Sequence, residues 1–171
     1  VFADSAANPG STVYNIPTLF ELDPHVDLVR LKDAVEAAVQ AHPYLKMQLT
    51  SDSQGEIRQK RDDDLPASVE ILEGLNQDTL VRPFDLYDRP LYRLEIHHTP
   101  EKNYFFMDVH HIVADGTSLA LLLEDINLAY AGEKLQQENY SGYEAALDYE
   151  EAVQSDAYAQ AEAFYSREFG D

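Results

Sequence analysis

Tyr104-Phe105-Phe106-Met107-Asp108-Val109-His110-His111-Ile112-Val113-Ala114-Asp115-Gly116-Thr117-Ser118 is the stretch on which the fold turns. Tyr104 to Val109 is rich in aromatic and apolar residues, as suits a buried or half-buried strand. Gly116 punctuates it. Leu119, Leu122, Leu123 and Ile126 then recur at helical spacing. A strand, a tight turn and a helix follow one another, and two imidazoles, a carboxylate and a glycine sit between the two elements. A rigid strand positions polar groups well, and the following helix presents a positive N-terminal end.

Working outward, Tyr92, Leu94, Ile96 and His98 alternate with Arg93, Glu95 and His97, the period-2 pattern of a sheet with one wet face. His98-Thr99-Pro100-Glu101-Lys102-Asn103 makes a turn, so 91–98 and 104–111 are expected to pair antiparallel. Upstream, Pro83-Phe84-Asp85-Leu86-Tyr87-Asp88-Arg89-Pro90 reads as a structured loop. Asn76 to Val81 reads as a short helix and Val69-Glu70-Ile71-Leu72 as a short strand. Leu45–Leu49 and Glu56–Lys60 flank a polar loop containing Gly55, which gives a hairpin. Leu28, Leu31, Val35, Ala38, Val39 and His42 fall on one face of an amphipathic helix, with Asp27 as its N-cap and Pro43 as its stop. Val13 to Leu22 is a strand, placed at an edge or a bulge by Pro17. Val1 to Thr12 reads as a loop, with Val1-Phe2 as the end of an earlier helix. Downstream, Ala131-Gly132-Glu133 ends the helix that begins near Leu119, and Tyr143 to Phe169 suits one or two surface helices. No internal repeat or second domain is visible, so 1–171 reads as a single domain.

Composition bounds the function. The chain has 171 residues, 44% of them hydrophobic, enough for one ordinary core. No apolar run approaches the roughly 20 residues of a membrane span, and no secretory signal opens the chain. Cysteine is absent, which removes disulfides, thiolate metal sites and a cysteine nucleophile and fits a cytoplasmic protein. A net charge of -20 argues against nucleic-acid partners, since counterion release cannot drive that binding. Arg61-Asp62-Asp63-Asp64 reads as a solvated loop.

Six histidines are present. His25 lies in a polar turn, His42 on an apolar helix face, and His97-His98 at a hairpin turn with no paired carboxylate or glycine following. All four read as structural. For His110 and His111, strand alternation predicts opposite faces, His111 with Phe105, Met107 and Val109, and His110 with Phe106 and Asp108. Neighbours on opposite faces do not form a two-histidine metal site. One should be structural and the other can act as a base near neutral pH. Asp115 can hold the loop or orient a histidine, and Gly116 can let the backbone turn sharply or approach a ligand.

His110-His111-Ile112-Val113-Ala114-Asp115-Gly116 resembles the HHxxxDG signature of condensation domains of nonribosomal peptide synthetases. Tyr14-Asn15-Ile16-Pro17, His42-Pro43-Tyr44-Leu45-Lys46 (lysine where arginine is usual), Pro83-Phe84-Asp85-Leu86 with Pro90-Leu91, and Leu147-Asp148-Tyr149 with Phe164-Tyr165 resemble further family segments in the same order, over roughly residues 10 to 169. The resemblance implies an α/β fold: a two-layer α/β sandwich of chloramphenicol-acetyltransferase-like fold, its mixed, mainly antiparallel sheet carrying packed helices. It implies the N-terminal lobe of a two-lobed enzyme, with the C-terminal lobe missing and no DFGWG-like motif, so that the isolated lobe is expected to be inactive and to self-associate. Donor and acceptor peptidyl carrier proteins would present thioesters on 4'-phosphopantetheine, with no cofactor bound by the lobe itself and adjacent synthetase domains as further partners. His111 would stand at the reaction centre, taking a proton from the attacking amine or positioning it, with the helix N-terminus favouring neutral imidazole. His110 would support the motif, Asp115 would hold the loop through an arginine salt bridge, and Gly116 would leave room for the pantetheine arm or supply an N–H. An epimerisation domain, a non-catalytic carrier-protein docking lobe and a metal or small-molecule binding protein are the other readings.

Overall fold

The computed structural model describes residues 1–170. The chain divides into two compact units, Val1–Glu138 and Asn139–Asp171. In order, the first unit holds α1 (Phe2–Ala7), β1 (Asn15–Glu21), α2 (Leu28–Ala41), a 3₁₀ turn at Pro43–Lys46, β2 (Met47–Ser51), β3 (Ile57–Arg61), β4 (Val69–Glu73), a 3₁₀ turn at Gln77–Thr79, β5 (Tyr92–His98), β6 (Asn103–His110) and α3 (Gly116–Ala131). The second unit holds α4 (Gly142–Val153) and α5 (Asp156–Phe169). The expected loop at 1–12 is therefore partly helical. Ala3, Ala6 and Ala7 favour helix, and Pro9 disfavours its continuation through Asn8.

Four strands form one sheet in the order β1-β6-β5-β4. β6 pairs antiparallel with both β1 and β5, whereas β4 runs parallel to β5. The sheet is thus mixed and mainly antiparallel, as expected, and Pro17 sits on the edge strand β1, where a missing N–H costs no ladder bond on the outer side. β2 and β3 form a separate two-stranded hairpin.

α2 and α3 pack on one face of the four-stranded sheet. Leu31, Val35, Ala38 and Val39 of α2 and Leu119, Leu122 and Ile126 of α3 meet Leu94, Ile96, Phe105, Met107 and Val109 in one apolar cluster. Each fully buried large side chain there contributes about 1.5–3 kcal/mol relative to exposure. Asp27 caps α2 by accepting from the N–H groups of Val29 and Arg30 at 3.0 and 3.1 Å. Gly132 ends α3 at φ 91°, a left-handed position that suits glycine. A smaller cluster joins Leu49, Phe84, Leu86 and Leu91.

The other face of the sheet is not wet, in contrast to the alternation-based expectation. Glu95, His97, Asp108 and His110 are all buried there. The pattern of polar residues on β5 and β6 is that of a covered polar layer, because the Arg82–Phe84 segment and β1's Asn15 bond across it.

In the second unit, Ser141 and Glu144 form a capping box at the start of α4, and the Ser155 side chain caps α5. Neither helix buries a residue, which agrees with the surface-helix reading of 143–169.

Candidate functional site

β6 ends at His110, and His111 to Val113 form a turn before α3. This ending corrects the alternation argument. The face that His111 would have shared with Phe105, Met107 and Val109 is the apolar core, yet His111 is exposed. Its backbone N–H still reaches Tyr14 O at 2.8 Å, while Val113 N donates to His110 O at 3.1 Å and turns the chain outward. The three residues between the histidines and the aspartate fasten this turn. Ile112 packs on the smaller cluster, Ala114 is buried in the larger one, and Val113 touches both.

His110 is the buried, structural partner, only 4% exposed. Its Nδ1 accepts the N–H of Ile112 at 3.1 Å. A nitrogen that accepts from a backbone amide carries no proton, so Nε2 carries it and donates to Ser5 Oγ at 3.4 Å. Burial is the main cause that pushes the His110 pKa below its ordinary value, with the neighbouring His111 adding to it. Phe84 packs edge-on against the ring at 5.8 Å, and Tyr14 lies 6.2 Å away. Both ring nitrogens are occupied, so His110 is available neither as a base nor as a ligand. It holds the turn that presents His111.

Asp115 is the N-cap of α3. Its Oδ1 accepts from Ser118 N at 2.9 Å and from Ser118 Oγ at 2.8 Å, and its own N–H donates to Ser118 Oγ at 3.4 Å. These bonds, the Ser118 backbone first, hold its pKa below the usual carboxylate range. Among the described residues Asp115 is held by this capping box and no arginine bridges it. The buried arginine–carboxylate pair of the region is Arg93–Asp108 instead, at 2.7 Å. Asp115 lies at the surface, fixed by three bonds to Ser118.

Gly116 opens α3 without a positive φ. A Cβ placed on it would meet nothing within 4 Å. The sharp turn considered for this glycine is therefore not what requires it, and its outer side is open space. His111, Asp115, Gly116 and Thr117 are all exposed along this rim, where the α3 N-terminus faces outward.

The remaining histidines have partners of their own. His42 is buried, with Nε2 3.0 Å from Asp125 Oδ2 and Nδ1 3.5 Å from Glu138 Oε2. His97 bonds Gly74 O at 2.9 Å and Glu95 Oε2 at 3.2 Å, so its carboxylate partner precedes it by two residues on the same strand face. His98 and His25 are exposed and bond Asn103 and Asp23. Among the described residues no group of three or more His, Cys, Asp or Glu is arranged to hold a metal. Sequence reasoning placed Asp108 on the face of His110 but missed Ser5, Phe84 and Arg93 as neighbours of the site. Of these only Arg93 carried a signal: it faces Asp108 across the β5–β6 register.

The family model described as Condensation domain matches residues 2–171. The chain belongs to the condensation domain family of nonribosomal peptide synthetases. Tyrocidine synthase 3 of Brevibacillus parabrevis is 33% identical over 163 residues, which is 91% of this chain and 2% of that synthase. Bacitracin synthase 3 of Bacillus licheniformis is 29% identical over 130 residues, 72% of this chain and 2% of that synthase. Among solved structures, the starter condensation domain of rhizomide synthetase RzmA superposes with a TM-score of 0.76 at 19% identity, covering 97% of this chain and 44% of that one. The first condensation domain of the CDA synthetase does so with a TM-score of 0.67 at 20% identity, covering 99% and 48%. The chain thus spans a few per cent of these curated relatives and less than half of these solved chains. The structural likeness supports the expected two-layer α/β fold of this family. Among the described residues, no helix is long and apolar enough to cross a membrane.

Proposed function

We propose that this condensation-domain segment is the N-terminal lobe of an amide-forming acyltransferase, with His111 at the reaction centre. The observation that carries the proposal is the contrast within the histidine pair. His110 is buried with both nitrogens engaged, and it holds a turn that leaves His111 exposed beside the first turn of α3. An acceptor amine on one phosphopantetheine arm attacks the donor thioester carbonyl on another. The C–N bond forms, the C–S bond breaks, and the donor arm leaves as a thiol. His111 either takes the proton lost by the amine or orients that amine toward the carbonyl. Gly116 leaves space where a side chain would otherwise narrow the approach of an arm. Donor and acceptor carrier proteins are the partners, a C-terminal lobe forms the opposite wall, and the lobe holds no cofactor of its own. By itself it does not condense substrates and tends to self-associate.

The test is His111→Ala in a synthetase that carries this segment, assayed for amide formation between two loaded carrier proteins. Loss of most product is expected, and full activity would remove His111 from the mechanism. The 171-residue chain assayed alone should give no turnover, and robust turnover would overturn the single-lobe reading.

A further inference from the structure

One buried charged cluster has no part in that chemistry. Asp108 is wholly buried, two residues before His110 on the same face of β6. Its Oδ2 accepts from Arg93 Nη1 at 2.7 Å and from Asn15 Nδ2 at 2.8 Å. Arg93 also donates to Arg82 O at 2.8 Å and to Pro83 O at 2.5 Å, and its guanidinium lies 3.8 Å from the centre of the Phe84 ring. Asn15 Nδ2 bonds Arg82 O at 3.0 Å. Three strands and the Arg82–Phe84 segment therefore meet on one carboxylate.

As a device for stability alone this arrangement is poor. Among the described residues, Asp108 Oδ1 and Asn15 Oδ1 are buried without a hydrogen-bond donor from the chain. A buried ion pair is often no more stable than apolar residues of the same volume. What it does supply is direction. The planar guanidinium fixes Phe84 face-on, and Phe84 in turn abuts the His110 ring edge-on. His110 then sets the turn through Ile112 N–H.

We propose that Asp108 and Arg93 are positioning residues for His111, acting through Phe84 and His110. This rests on the reading of His111 as the reaction-centre residue. Removing either charge frees Phe84, lets His110 rotate and loosens the turn that aims His111. The pair touches no substrate; its effect is on the geometry in which the amine meets the thioester.

The experiment pairs Asp108→Asn, which keeps shape and removes charge, with Arg93→Lys, which keeps charge and loses the planar fork. Each is placed in a synthetase carrying this segment and in the chain itself. In single-turnover condensation both variants should lose roughly 10- to 100-fold in rate, with the acceptor KM within about twofold, because misplacement of a reacting group acts on the rate. In the chain itself, the imidazole ¹H–¹⁵N signals of His111 should shift or broaden, whereas amide exchange in β5 and β6 stays protected. Unshifted His111 signals in the folded variants overturn the proposal, as does a wild-type single-turnover rate for both while His111→Ala is dead. If Asp108→Asn does not fold, Arg93→Lys decides by the same signals. Full activity of His111→Ala, with the His111 signals of Asp108→Asn shifted, instead sinks the reaction-centre reading and leaves the structural coupling standing.

Discussion

The two faces of the four-stranded sheet carry different chemistry on the same strands. Toward α2 and α3, Leu94, Ile96, Phe105, Met107 and Val109 are buried and apolar. On the reverse, Arg93, Glu95, His97, Asp108 and His110 alternate with them and are largely buried too, but each is held by directed bonds. The apolar face holds the fold together through non-directional transfer from water, which tolerates small shifts. The polar face is intolerant of shifts, because a hydrogen bond fails with a few tenths of an ångström or tens of degrees. The histidine turn grows from the polar face. The polar face fixes the turn through His110, and the core anchors it through Ala114 and Val113.

The contrast breaks if the apolar face is dispensable. Phe105→Ala should cost about 3–5 kcal/mol, since the ring is buried and stacks 6.1 Å from Phe20. Urea unfolding of the chain measures this, and a loss below about 1 kcal/mol would show that the helix-covered face carries little of the stability.

A smaller effect separates the polar face by pH. His110 has a folded pKa below its ordinary value near 6.5, so the unfolded chain binds its proton first as pH falls. Its contribution is therefore fully present above that unfolded value and is lost as pH falls toward the folded one. Asp108 moves the opposite way: burial outweighs its bonds to Asn15 and Arg93 and raises its pKa. As pH falls through the raised value, protonation of Asp108 relieves part of that cost. Urea midpoints followed downward from about pH 8 should thus decline first in the histidine range. In His110→Gln that decline should shrink, and an unchanged pH profile would show that His110 is not held neutral by the fold.

The smallest expected effect is at the rim. Gly116→Ala should change stability by less than about 0.5 kcal/mol, because φ is not positive and the added Cβ meets nothing within 4 Å. The same substitution should slow condensation if a pantetheine arm passes there. A large loss of stability would mean that the glycine serves the lobe itself, and unimpaired condensation would remove it from the path of the arm.

Much of the architecture was legible because it follows local rules. The α2 stripe, the Asp27 cap, the Gly132 stop, the edge proline and the β5–β6 pairing are each set by residues within a few positions of one another. The parallel pairing of β4 with β5 was not legible, because it depends on a long connection whose path no short-range pattern fixes. The histidine pair was found by motif, but alternation assigned His111 to the core face. That argument assumed the strand continues, whereas it stops one residue earlier. Asp115 was expected to bind an arginine; among the described residues it is Ser118, three residues away, that bonds its Oδ1.

The sequence by itself determined most of the element order, the position of the histidine turn and the family to which the chain is similar, since these reside in spacing and residue type. Only the tertiary structure decided which histidine is buried, which carboxylate meets the arginine and why the reverse face of the sheet is covered. Those outcomes depend on where Ser5, Asn15, Phe84 and Arg93 arrive in space. Residues up to 105 positions apart meet there, and burial and hydrogen-bond geometry act on distance in space rather than along the chain.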